Sequence, residues 1–271
     1  MDTNKNSYTI IYSIVMVVVV AAVLAFVSLS LKDKQNENIS KEKQQYLLAS
    51  VGLGADADFN QVIKEAIVVD GNGNVINTAT SDIAKSEAFN ISTAEQTSKI
   101  KAMELLPASE QEAARADLRL PVFIADLPDG SQAYIFSAYG AGLWGPIWGW
   151  ISLKTDLSTI AGVKFDHSGE TPGLGAEIAT PGFSGQFPGK EMFVNGEFTS
   201  VSIVKGGAKE GSLNEVDAIS GGTITSKALD ASIRMWFVAY LPYLKSLQAL
   251  AATPMRVVGE VVETQEVVEN N

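Results

Sequence analysis

No cysteine occurs in the 271 residues, and histidine occurs once, at His167. The first absence excludes disulfides, thiolate zinc sites, cysteine-ligated iron–sulfur clusters and cysteine nucleophiles. The second excludes a histidine-rich metal site or a two-histidine haem within this chain. No metal ligation is expected, and redox work would need an organic cofactor. Positive charge is also scarce: 20 Lys and Arg stand against 31 Asp and Glu, a formal charge of −11. A phosphate backbone is bound by a basic face, so no nucleic acid is expected as a partner.

What is present is a long apolar run. Ile10–Leu31 carries no charge and is interrupted only by Tyr12, Ser13, Ser28 and Ser30. At helical rise it covers roughly 33 Å, enough for a bilayer core of about 30 Å. A cleaved signal peptide has a shorter apolar region and a small-residue cleavage site. An uncleaved single anchor over 8–31 is therefore expected, after a short N-terminus at 1–7. Lys32, Lys34, Lys41 and Lys43 follow the span, and by charge alone they put the following domain in the cytoplasm. Asp33, Glu37 and Glu42 interleave with them.

The rest reads as α+β, a single transmembrane helix followed by a mixed domain with an antiparallel sheet. Residues 32–50 read as a charged juxtamembrane helix ended by Gly52 and Gly54, opening a segment at 32–120 with an α+β subdomain. Ala66–Val69, then Asp70-Gly71-Asn72-Gly73-Asn74 and Val75-Ile76, is a strand–turn–strand pattern. Ser92-Thr93-Ala94-Glu95 is a capping box that opens a helix broken at Pro107. Residues 109–119 read as a short charged helix. Strands are expected at 122–125, 133–137, 147–154, 160–166 and 201–205, with a hairpin turn at Lys154–Leu157. A helix from about Thr223 to Leu250 carries an apolar stripe of Leu229, Ile233, Trp236, Phe237, Tyr240 and Leu244, and Pro242 should kink or split it. The region 121–252 reads as the functional unit, and 253–271 as an acidic, disordered tail.

The richest stretch for chemistry is Asp217-Ala218-Ile219-Ser220-Gly221-Gly222-Thr223-Ile224-Thr225-Ser226. It is a glycine-loosened loop that turns into a helix. The first amides of that helix lack intrahelical partners, and the macrodipole is positive there, which suits a phosphate group. The alternative is an ordinary turn and N-cap. His167 beside Asp166 and Ser168 cannot make a hydrolase triad, because those groups must converge from separate elements. It reads as a solvent-facing loop residue. Glu170 and Glu177 form a carboxylate pair of unfixed separation.

The stretch resembles the flavinylation signature Asp-x-x-Ser-Gly-Ala-Thr of bacterial membrane flavoproteins, with Gly222 where Ala is usual. Gly169-Glu170-Thr171-Pro172-Gly173-Leu174-Gly175-Ala176-Glu177 is similar to a loop of the same proteins. Gly140-x-Gly142-Leu143-Trp144 and Ile203-Val204-Lys205-Gly206-Gly207-Ala208 match further. In this order, and with the anchor, the four motifs resemble the C subunit of the sodium-translocating NADH:quinone oxidoreductase. The G subunit of the ion-translocating ferredoxin:NAD oxidoreductase shares part of the pattern. A non-redox anchored interaction protein is the remaining reading.

The resemblance implies FMN joined through its phosphate to Thr223, with Thr225 as the second choice of hydroxyl. Ser220, Gly221 and Gly222 would form the turn around it, and Glu170, Thr171, Leu174 and Gly175 a loop beside the ring. Trp144 is either an aromatic neighbour of the flavin or, with Trp148 and Trp150, packing. Lys205 either neutralises flavin or phosphate charge or ends a strand in solvent. No side chain is expected to be catalytic. The implied role is electron transfer inside a membrane complex that couples NADH:quinone oxidoreduction to sodium export, and the chain alone should be inactive. Implied partners are other integral membrane subunits, through the anchor and the Trp144–Trp150 surface, and a flavin transferase during maturation. The implied place is the bacterial inner membrane, single-pass, with the N-terminus at 1–7 cytoplasmic and the main domain periplasmic, against the charge count after the anchor.

Overall fold

The computed structural model describes residues 6–252. Readings of 253–271, and of residues 1–5, lie outside the described residues. Helix α1 runs unbroken over Asn6–Ser50, so anchor and juxtamembrane helix are one element. Its apolar stretch is exposed throughout, and it is long and apolar enough to cross a membrane. It stops where the sequence places Gly52. The Gly52 amide donates to Ala49 O and the Leu53 amide to Leu48 O, the paired bonds of a Schellman stop, with Gly52 at φ +79°.

Two short helices, α2 (Phe59–Val62) and α3 (Glu87–Asn90), flank the first hairpin, β1 (Ile63–Val69) and β2 (Val75–Ala79). Helix α4 (Thr93–Glu104) starts at the expected cap, with the Ser92 hydroxyl accepting the Glu95 amide, one of the two bonds of a capping box. Helix α5 is Ala108–Ala116, and strands β3 (Leu120–Asp126), β4 (Gln132–Ala141), β5 (Pro146–Lys154) and β6 (Ile160–His167) follow. His167 thus ends a strand, half-buried, and is not the solvent-facing loop residue expected. After a one-turn helix α6 (Pro181–Ser184) come β7 (Phe193–Val194), β8 (Glu197–Phe198), β9 (Ser202–Val204), β10 (Glu215–Asp217) and the long α7 (Thr223–Ala252). Helix α7 continues through Pro242 and does not split. Tyr240, Tyr243 and Leu244 are buried on both sides of the proline and anchor both halves of the helix in the core.

The main sheet is antiparallel with order β2-β1-β3-β4-β5-β6, so strands from before and after residue 120 share it. Side-chain alternation sends Val122, Phe136, Ile147 and Ile151 to one face, beneath Trp236, Phe237 and Tyr240 of α7. Phe123, Ile135 and Trp150 go to the other, beneath Leu47 and Leu48 of α1 and Phe59 and Phe89 of the short helices. Both faces are covered, giving three layers. Tyr240 ties α7 to the sheet by donating to Pro121 O at 2.7 Å, with Ser137 Oγ at 3.0 Å. Truncating a buried aromatic such as Trp236 would cost about 3–5 kcal/mol.

The end of α1 approaches β5 and β6 most closely at Ser50. A methyl at Gly162 would lie 2.5 Å from Ser50 O, and Ser152 Oγ donates to that same carbonyl at 2.5 Å. The glycine is what lets the helix end approach.

Candidate functional site

The first turn of α7 meets the Thr171–Gly175 loop and the β4–β5 turn at one cleft. It is lined by Leu143, Trp144, Glu170, Thr171, Leu174, Gly175 and residues 221–225, with a volume of about 260 Å³. The approach is closest at the glycines. Gly221 has φ +76°, and a Cβ there would lie 2.5 Å from Leu174 Cδ2. A side chain at that position would be strained in backbone and in space.

The turn before α7 is held from within. Asp217 Oδ1 accepts the Ala208 amide at 2.6 Å, which fixes the Gly206–Gly207 loop. Ser226 Oγ accepts the Ile219 amide at 3.1 Å, and the Gly222 amide donates to Ile219 O at 3.0 Å. Thr223 is the first residue of the helix and is half-buried. Thr225 differs: it is 1% exposed, and its hydroxyl donates to Glu170 Oε2 at 2.7 Å. Glu170 Oε1 accepts the Trp144 amide at 2.9 Å. Burial pushes the Glu170 carboxyl upward, but the Thr225 hydroxyl and the Trp144 and Leu143 amides outweigh it, with His167 adding to them. The group is held below its ordinary value. Glu177 faces elsewhere and accepts the Gly173 amide at 3.1 Å.

A second cleft of about 380 Å³ lies on the other side of the turn, lined by Lys205, Gly206, Gly207, residues 217–221 and Thr223. Gly221 and Thr223 line both clefts. The structure therefore brings Thr223, Gly221, Gly222, Thr225, Trp144, Glu170, Thr171, Leu174 and Gly175 together. Ser220 and Lys205 sit on the far side, in the second cleft. Two wall residues, Leu143 and Ile224, are not among the sequence-predicted site residues. Leu143 is 47% exposed and Ile224 57%, beside Trp144 at 68% and Leu174 at 42%. Bulky apolar side chains around Gly-Gly-Thr were the available signal.

The residues suit a planar, phosphate-bearing cofactor. Four exposed apolar side chains offer a flat wall, and a helix start supplies amides and a hydroxyl. The model of the FMN-binding domain family matches residues 142–237, which include every residue of the first cleft. The class is thus a membrane-anchored α+β protein with an FMN-binding domain. Among its relatives is the C subunit of the Na(+)-translocating NADH-quinone reductase of Neisseria meningitidis, 30% identical over 93% of this chain and 98% of the relative. The same subunit from Vibrio anguillarum is 26% identical over 92% of this chain and 98% of its own. A crystal structure of the C subunit from Parabacteroides distasonis is 37% identical, with a TM-score of 0.65, covering 79% of this chain and 96% of that one. The chain belongs to the family of C subunits of the Na(+)-translocating NADH-quinone reductases.

Proposed function

We propose that the chain carries FMN covalently on Thr223 and relays electrons within a membrane complex that couples NADH:quinone oxidoreduction to sodium export. The observation that carries the reading is the contrast between two threonines in the first turn of α7. Thr225 is buried with its hydroxyl committed to Glu170, while Thr223 stands half-exposed where two clefts meet. One cleft has the apolar wall for the ring. The other has Lys205 and a glycine loop, suited to the anionic end of the cofactor.

FMN supplies the redox chemistry when bound. The protein's part is to hold and to orient. Leu143, Trp144, Leu174 and Ile224 would pack against the ring and keep water from it. The amides at the start of α7 would favour the charge of the phosphate. Attachment would join Thr223 Oγ to phosphorus. Because a bare monophosphate is a poor donor, a flavin pyrophosphate would serve, with its nucleotide monophosphate as the leaving group, the hydroxyl proton released, and no oxidation state changed.

In this reading the partners are other integral membrane subunits of the complex, with the transferase a transient one. The protein lies in the bacterial inner membrane, with the N-terminus cytoplasmic and the domain periplasmic. Co-expression with a flavin transferase, followed by denaturing gel fluorescence, tests the attachment. A fluorescent band lost in Thr223→Ala and kept in Thr225→Ala supports it; the reverse pattern moves the acceptor to Thr225. Trypsin treatment of spheroplasts tests the orientation, and a protected domain would sink it.

A further inference from the structure

Glu170 lies at the floor of the first cleft, 5% exposed, and its two carboxylate oxygens serve different segments. Oε2 takes the Thr225 hydroxyl from the first turn of α7, at 2.7 Å. Oε1 takes the Trp144 amide from the β4–β5 turn, at 2.9 Å. Its own amide donates to His167 Nδ1 at the end of β6, at 3.2 Å. The backbone around the carboxylate is cut back to admit it. A methyl at Gly142 would lie 2.4 Å from Oε1, and one at Gly175 would lie 2.3 Å from Oε2 and 2.5 Å from Thr225 Oγ1. A buried charge is costly unless its lone pairs are met; two separate segments donate to the carboxylate, and His167 on a third anchors the Glu170 backbone.

We propose that Glu170 is the positioning residue of this site: by engaging the Thr225 hydroxyl it leaves Thr223 as the acceptor, and by engaging the Trp144 amide it sets the apolar wall of the cleft. The inference rests on the covalent reading above. Glu170 turns both oxygens toward protein donors, so it acts through its neighbours and not by contact with the reacting atoms. It also acts at a distance. A fixed negative charge under the cleft opposes the arrival of an electron, so its removal makes a bound flavin easier to reduce. A merely structural residue has no such effect.

The full chain is co-expressed with a flavin transferase as the unaltered protein, Glu170→Gln, Thr225→Val and the double variant, with Thr223→Ala as the dark control. Flavin per chain is read by gel fluorescence, its position by peptide mass, and its midpoint potential by spectroelectrochemical titration. Glutamine keeps the shape and an acceptor for the Trp144 amide but cannot also accept the Thr225 proton at its amide nitrogen. Glu170→Gln is expected to incorporate flavin at least about tenfold more slowly, the scale of one lost charged hydrogen bond, and to show a more positive potential. Thr225→Val should slow incorporation without raising the potential, and the double variant should be no slower than Glu170→Gln, because both break the same bond. An unaltered rate and potential in Glu170→Gln overturn the inference. If that variant does not accumulate, an unaltered rate in Thr225→Val overturns it. Absence of flavin from the unaltered chain is a different result and overturns the covalent reading itself, and this inference with it.

Discussion

The Tyr46 hydroxyl, near the end of α1, bonds the Asp166 carboxylate on β6, 120 residues further along the chain. Glu42, one turn back on α1, is also in reach at 2.8 Å. One phenolic proton thus mediates between two carboxylates, and Lys164 Nζ stands 5.3 Å from the ring centroid. Burial, then the bonds to Asp166 and Glu42, holds the phenol well above its ordinary value.

Tyr46→Phe removes the mediating proton and leaves two like charges facing each other. The expected loss is about 1–2 kcal/mol, since the site is partly exposed to water. Thermal unfolding in detergent checks it. Gly162→Ala should do more damage, because the added methyl meets the Ser50 carbonyl and not a movable side-chain tip. An unchanged melting temperature in Gly162→Ala would contradict the account of how α1 seats.

Lys43 gives a pH dependence of defined sign. It packs 4.8 Å from the Phe89 ring centroid and 5.4 Å from that of Trp150, and burial pushes its pKa down to about 8. Between about pH 8 and 10.5 the unfolded chain holds the proton that the folded chain has released, so stability rises with pH across that window. Lys43→Met should be the more stable protein at pH 7, by on the order of 3 kcal/mol before the lost ring contacts are subtracted. The gap between the two should close by about pH 10. Denaturant titrations at neutral and alkaline pH measure it, and a gap that widens contradicts the prediction.

Glu170 gives a slope of the same sign, since its pKa is also lowered, but its charged form stabilises the fold at neutral pH where that of Lys43 does not. Its carboxyl is held below the ordinary value of 4.5, so the unfolded chain protonates first as pH falls. Its contribution is present in full above that value and is lost as the pH drops through the lowered one. Glu170→Gln should therefore be less stable than the unaltered chain at neutral pH, and the difference should shrink in acid. Urea midpoints at about pH 7 and about pH 3 decide it.

Gly222 carries a packing prediction. A methyl there would lie 2.9 Å from Ile219 Cγ2, 3.1 Å from Ile219 Cβ and 3.2 Å from the Leu174 carbonyl carbon. Ile219 is β-branched and turns aside poorly. Gly222→Ala should cost about 1–2 kcal/mol from overpacking, and Ile219→Ala in the same chain should recover part of it. Strictly additive losses in the double variant would refute the contact.

Much of the fold is legible in local pattern. Alternating strands, the Ser92–Glu95 cap and the Gly52 stop each involve residues a few positions apart, and each forms as its chemistry requires. The order of the sheet is not legible, because β1 sits beside β3 through pairings some fifty to sixty residues apart, which no local pattern encodes. That Pro242 does not split its helix has a related reason. Its local rule is outweighed by Tyr240 and Leu244, whose burial depends on the distant sheet. At the site, the Gly221–Thr223 turn is readable because glycine freedom and a helix start are local properties. The role of Glu170 is not, since its bond to Thr225 spans 55 residues. Lys205, close in sequence to the turn, lies on its opposite side.

The unbroken α1 has a consequence for encounter. Its last residues, Leu47, Leu48 and Ser50, are packed into the domain core, and no flexible linker separates them from the apolar stretch. A swinging arm samples a cloud of positions, and its effective concentration at a target falls with tether length. A stiff stalk offers no such cloud. The 19 residues from Lys32 to Ser50 run roughly 28 Å at helical rise, and from Lys43 onward they already lie against the domain. Inserting or deleting a few residues before Lys43 would both lift or lower the cofactor cleft and rotate it about the stalk, by about 100° per residue.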